Sequence, residues 1–166
     1  SDFTHAIADF RRAIELDQKS INALYALGYN LEQTRQFAEA VDAYTKVIQL
    51  APQSNGAWNN RCWVRAITGD LSKALDDCNQ ALKLNTNDPQ ALDSRALVYL
   101  KLKKFDDAIR DYTQIIELGT GSTVSALFGR GLARKAKGVS DFAADIDKAM
   151  KIDPEVPERF RSYGIQ

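Results

Sequence analysis

Histidine, methionine and cysteine are scarce in this chain of 166 residues, which has one His, one Met and two Cys. With His5 alone, no histidine-based metal site or catalytic triad can be assembled within the chain. Two cysteines are too few for a disulfide scaffold. Net charge is missing as well, since 22 Lys and Arg balance 22 Asp and Glu. Nucleic acid and anionic membranes attract a cationic excess, so neither exerts a general pull on this chain. No apolar run reaches the roughly 18 residues of a membrane span, and Ser1-Asp2-Phe3-Thr4-His5 lacks the basic-then-apolar order of a signal peptide. No CxxC, HExxH, GxSxG or P-loop occurs. Gly119-Thr120-Gly121-Ser122 and Gly129-Arg130-Gly131 follow no strand, and read as an inter-helix turn and as close helix packing. The expectation is a chain without catalytic machinery, cofactor, metal, nucleic-acid partner or membrane insertion.

What the chain does have is a period. Ala6, Ala40, Ala74 and Ala108 are each 34 residues apart, and so are Phe3, Phe37, Leu71 and Phe105. The columns Phe10, Tyr44, Cys78, Tyr112 and Leu16, Leu50, Leu84, Leu118 keep the same spacing. Self-similarity of this kind marks a repeat array. Within a unit the apolar residues recur at helical spacing, as in Ala40, Val41, Tyr44, Val47 and Ile48, and a second helical stretch precedes them, as in Leu24, Leu27 and Leu31. Gly69-Asp70 breaks a unit in the middle, and Ala51 to Ser54 or Asn85 to Pro89 separate units. Asp88 before Pro89 reads as an N-cap followed by proline in the first helical turn. Each unit is therefore expected to be two antiparallel helices joined by a tight turn.

The second unit carries Leu24-x2-Leu27-Gly28-x2-Leu31, Ala40-x3-Tyr44 and Pro52. The next adds Trp58 and Ala74, and the fourth Leu92, Ala96, Tyr99, Ala108 and Tyr112. This pattern resembles the tetratricopeptide repeat family over nearly the whole chain. The resemblance implies an all-α, right-handed solenoid of antiparallel helix pairs. Residues 1–20 would be the second helix of a truncated repeat, followed by repeats at 21–54, 55–88, 89–122 and 123–154 and a C-terminal capping helix within 155–166. Terminal repeats need such a cap to cover their last apolar face.

Two pairings follow from comparing columns. Cys62 and Cys78 lie at matched heights on either side of the turn at Gly69, where other units set a small residue against a large one, Gly28 with Tyr44 and Gly131 with Ile146. They are either a packing pair of medium-sized residues or a disulfide. The strings Asn60-Arg61-Cys62-Trp63 and Asp77-Cys78-Asn79 resemble tetratricopeptide proteins of bacteria that are often exported, which implies an oxidising compartment, periplasmic or secreted. Arg61, Arg95 and Arg130 share one column, and Asp77, Asp111 and Asp145 another at matched height. Both are lost together in the repeat at 21–54, to Leu27 and Ala43. Charges that come and go as a pair argue for an Arg–Asp contact inside each unit, where the guanidinium fork suits a carboxylate.

In the family the first helices line a concave groove, and the inward positions correspond here to Asn22, Tyr25, Tyr29, Asn59, Asn60, Trp63, Asp93, Leu97 and Phe128. Rings and amides together suit a peptide. The resemblance thus implies an interaction scaffold that holds a protein or peptide segment in that groove. Members that clamp the acidic tails of chaperones use Lys, Asn and Arg at groove positions that align with Tyr25, Tyr29, Asn60, Gln90 and Ser94. The asparagine alone matches, which argues against such a clamp. An RNA-binding array of the pentatricopeptide type has a similar period, but the neutral charge and the 34-residue Ala and aromatic columns argue against it. A further expectation is self-association, because the first helix lacks its partner and would expose Phe3, Ile7 and Phe10 to a second copy.

Overall fold

A computed structural model describes residues 2–119 and 121–165. Ser1, Gln166 and Thr120, the second residue of the Gly119–Ser122 turn, lie outside the described residues. Ten helices account for the described secondary structure: α1 (Asp2–Leu16), α2 (Ile21–Gln33), α3 (Phe37–Leu50), α4 (Asn55–Thr68), α5 (Leu71–Leu84), α6 (Pro89–Lys101), α7 (Phe105–Leu118), α8 (Thr123–Lys137), α9 (Phe142–Ile152) and α10 (Val156–Ser162). They fall into two compact units, residues 1–85 and 86–166.

In the first unit consecutive helices pack on one another, α1 on α2, α2 on α3, α3 on α4 and α4 on α5. The alanine column makes this possible. Ala40 and Ala74 are fully buried and let the helices close on each other, while Tyr44 fills the space that remains. Gly28 is required there, because a Cβ would sit 2.7 Å from the Tyr44 ring. The first unit's core gathers Ile7, Leu27, Leu31, Ala40, Ala43, Tyr44 and Val64, with Phe10, Phe37 and Trp63 packed against it. This corrects the expected apolar edge on α1. Ile7 is buried and Phe10 is half-buried, because both point at α2 and α3, and Phe3 alone of the three stays exposed.

In the second unit α6 packs on α7, α7 on α8 and α8 on α9, and α10 lies against α8 and α9. Asp88 caps α6 by accepting hydrogen bonds from the backbone N–H groups of Gln90 and Ala91 at 2.9 and 3.4 Å, with Pro89 in the first turn. Ala108 and Tyr112 are fully buried, as their counterparts are in the first unit. The fifth repeat is shortened in its second helix, where α9 has 11 residues against 14 in α3, α5 and α7.

The turn inside each helix pair uses one left-handed residue. Gly69 (φ 94°) and Gly138 (φ 72°) take it without a Cβ penalty, but in the other two pairs Arg35 (φ 60°) and Lys103 (φ 57°) adopt it. Nothing in the sequence at those two turns announces that conformation.

Candidate functional site

Cys62 and Cys78 form a disulfide, their Cα atoms 5.4 Å apart. It joins α4 to α5 at the height where Gly28 meets Tyr44 in the preceding pair, so the bridge stands in for the small-on-large contact.

Each of the three arginine–aspartate pairs is bidentate. Arg61 donates to Asp77 at 2.9 and 2.7 Å, Arg95 to Asp111 at 2.7 and 2.9 Å, and Arg130 to Asp145 at 2.8 Å twice. The carboxylates are almost completely buried. Two of the three have a second cation. Arg65 donates to Asp77 at 2.7 Å and Arg134 to Asp145 at 2.9 Å. At the matching position on α6 stands Tyr99, whose ring lies under the Arg95 guanidinium at 5.7 Å. These charges hold helix to helix within each pair. Among the described residues no group of three or more His, Cys, Asp or Glu could hold a metal.

The predicted groove residues divide by unit. On the first unit's α2–α4 face, Tyr29 is 48% exposed, Asn22 is exposed, and Tyr25, Asn60 and Trp63 are half-buried. Asn60 is fixed from two sides, its amide donating to the Tyr25 hydroxyl at 3.0 Å and to the Tyr44 hydroxyl at 3.3 Å. The Tyr44 hydroxyl in turn donates to Glu32 at 3.2 Å. Burial raises the Glu32 pKa, and the Tyr44 hydrogen bond opposes that shift. The Tyr25 and Tyr44 rings meet edge to face at 5.8 Å. Tyr25 is seated over Gly56, where a Cβ would lie 2.7 Å from its hydroxyl. Asn59 is buried, its amide near Asn60 at 3.5 Å. Sequence reasoning passed over Glu32 and Gly56. A signal existed for the first, since its column otherwise holds Ala66, Leu100 and Lys135, and a lone carboxylate there needs a partner.

On the second unit's α6–α8 face, Leu97 and Phe128 are buried, so neither offers open surface. For Phe128 the reason is α10, whose Phe160 ring packs edge to face on it at 5.0 Å. Asp93 accepts from the Ser125 hydroxyl at 2.9 and 3.1 Å. Burial lifts its pKa to about 6, against the opposing effects of Ser125 and of Arg159 on α10. Nearby, the Tyr112 hydroxyl is buried without a hydrogen-bond partner among the described residues. The glycine opposite, Gly129, leaves room for the ring and nothing for the hydroxyl, since a Cβ would lie 2.3 Å from the Tyr112 Cζ.

Known proteins share this architecture. In sequence the chain is similar to the E3 ubiquitin-protein ligase CHIP of Arabidopsis thaliana, 26% identical over 83% of this chain and 46% of that protein. It spans less than two-thirds of the length of each of the first curated relatives that it matches. Its fold is that of a crystal structure of MamA, with a TM-score of 0.81 at 24% identity over 95% of this chain and 92% of the other. The first TPR of Spaghetti bound to an HSP90 peptide has the same fold, with a TM-score of 0.68 at 24% identity over 74% of this chain and 96% of the other. Residues 21–54 and 94–157, together more than half of the chain, match the tetratricopeptide repeat, and the chain belongs to that family.

Proposed function

We propose that this protein is a non-enzymatic interaction scaffold and that the α2–α4 face of its first unit binds an extended peptide segment of a protein partner. The observation that carries this reading is the pairing of an exposed ring, Tyr29, with an amide held in one orientation, Asn60, on the same face. A ring supplies contact area at little entropic cost, and a pre-oriented amide can hydrogen-bond a peptide backbone. Trp63 and Tyr25 extend the aromatic surface on either side. The bound HSP90 peptide of the Spaghetti structure supports peptide capture by this fold as a class. The positions that align with a chaperone-tail clamp hold Tyr25, Tyr29, Asn60, Gln90 and Ser94 and none of its Lys or Arg, so an acidic tail is not the ligand this face favours.

The test is a peptide-display selection on the immobilised chain, followed by fluorescence polarisation with the enriched peptides. Tyr29→Ala is expected to weaken binding by about ten-fold or more, the loss of one aromatic anchor. Asp42→Ala, an exposed change on α3, should leave it unaltered. If no peptide is enriched, or Tyr29→Ala binds as well as the wild type, the α2–α4 face is not a peptide site.

A further inference from the structure

The short helix α10 does more than close the end of the array. A cap on the last repeat has to cover only α8 and α9, and α10 does touch both. The chain that leaves α10 also reaches α6. Gly164, just after the helix, lies against Lys101, where a Cβ would sit 3.7 Å from Nζ, and the charges of Arg159 and Asp93 are close enough to act on each other. Phe160 covers Phe128 and meets the Tyr163 ring at a tilt, their centroids 5.9 Å apart. One predicted groove position of the second unit, Phe128, is thus covered by a segment of the same chain, and a second, Asp93, lies within reach of that segment's Arg159 charge.

That segment is built like a ligand. Val156, Phe160 and Tyr163 stand at i, i+4 and i+7 and form one apolar stripe, in which Val156 and Phe160 are buried. Arg159, beside the stripe, is exposed and pairs with Asp153 rather than making a direct ion pair to Asp93. At seven residues α10 is far below the length that sustains an isolated helix, so its order depends on docking. The wall beneath it holds polar groups that α10 leaves incompletely engaged. The Tyr112 hydroxyl has no hydrogen-bond partner, and Asp93 is held by Ser125 with the Arg159 charge nearby.

We infer that the Asp93–Phe128 wall of the second unit is a binding site for an amphipathic helix with an aromatic stripe flanked by arginine, and that α10 is its displaceable intramolecular occupant. The tether gives α10 a high effective concentration, so a partner helix competes only when its own contacts exceed those of Phe160, Tyr163 and Arg159. This inference concerns the second unit and stands or falls independently of peptide binding on the α2–α4 face.

The probe is a fluorescein-labelled peptide of residues 154–166, added to the full chain as wild type and as the double variant Phe160→Ala, Tyr163→Ala. The labelled peptide is expected to bind the double variant at least about ten-fold more tightly than the wild type, because the tethered competitor has been weakened. Adding Asp93→Lys to the double variant should reduce that binding about ten-fold, and adding Tyr29→Ala should leave it unchanged. A folded double variant that ignores the peptide, or binds it no better than the wild type does, makes α10 a fixed cap and overturns the proposal. Should the double variant fail to fold, hydrogen exchange on the wild type decides. The proposal requires α10 amides to exchange faster than those of α8, and faster still with excess unlabelled peptide. Protection of α10 equal to that of α8 and indifferent to the peptide overturns it.

Discussion

Tyr44 and Tyr112 occupy the same column, and both are fully buried, yet their hydroxyls meet opposite fates. In the first unit the hydroxyl donates to Glu32 and accepts from Asn60. In the second unit the corresponding positions are Leu100 and Gly129, and the hydroxyl has no partner. The column dictates where the ring goes, because the ring is what fills the space opposite a small residue. Whether the polar tip is satisfied depends on two other columns, Glu32 against Leu100 and Asn60 against Gly129. The neighbour on the groove face differs in the same way, an uncharged Tyr25 in the first unit and a carboxylate, Asp93, in the second. One repeat scaffold therefore carries a wall with its hydrogen bonds completed and a wall with groups left over.

The largest break in this comparison is expected at the ion pairs. Arg95→Ala leaves Asp111 buried with Tyr99 where the other pairs have a second arginine, and should cost about 3–5 kcal/mol, the usual penalty for stranding a buried charge. Arg61→Ala leaves Arg65 still bonded to Asp77 and should cost about 1–3 kcal/mol. Urea unfolding of the two variants measures both, and equal losses would mean that Arg65 does not hold Asp77.

The tyrosines themselves sharpen the contrast through a change of sign. Tyr44→Phe removes a hydroxyl that Glu32 and Asn60 use and should destabilise by about 1–2 kcal/mol. Tyr112→Phe removes an unsatisfied group without altering the ring and should be neutral or stabilising by up to about 1 kcal/mol. Thermal melts of the pair are enough, and a cost at Tyr112 matching that at Tyr44 would show that its hydroxyl has a partner after all.

Charge separates the walls by pH. Asp93 has a folded pKa of about 6 against its ordinary 3.8, so between those values the native chain binds more protons than the unfolded one. Stability from this group is therefore fully present below about 4 and is lost as pH rises through about 6. Glu32 in the first unit shifts in the same direction, so the measurement is the difference between wild type and Asp93→Asn. The wild type should gain more melting temperature than the variant on going from pH 7.5 to pH 5. Parallel profiles would place the Asp93 carboxylate in contact with water.

These contrasts mark where the sequence could be read and where it could not. The period, the helix pairs and the Arg–Asp columns were legible because each depends on residues a fixed distance apart within one unit. The pairing of Gly28 with Tyr44 was legible for the same reason. The burial of Phe128 was not, since it depends on Phe160 more than 30 residues away, in a helix outside the repeat pattern. The inward turn of Ile7 and Phe10 depends on α2 and α3, which cover that face from outside the repeat's own helix pair. Tyr112 shares the column of Tyr44, but a hydroxyl without a partner is a property of what is absent around it. No column alignment reveals that until Leu100 and Gly129 are set beside Glu32 and Asn60.

The smallest expected effect lies in the backbone. Each helix pair turns through one left-handed residue, and each unit closes one such turn on a bulky cation, Arg35 in the first and Lys103 in the second. An L-residue pays about 1–2 kcal/mol for that conformation. Glycine avoids the cost but loses more chain entropy on folding, which returns roughly 0.5–1 kcal/mol. The net gain from Arg35→Gly or Lys103→Gly should be about 0.5–1 kcal/mol, and Gly69→Ala should lose a similar amount or slightly more. The two gains should match, because φ is 60° in one turn and 57° in the other, whatever the polar chemistry of the walls they support. If Lys103→Gly gave no gain while Arg35→Gly did, the lysine side chain would be contributing to the second unit beyond its backbone angle. Paired melts at two salt concentrations would then test that contribution, since an exposed cation's share fades as salt rises.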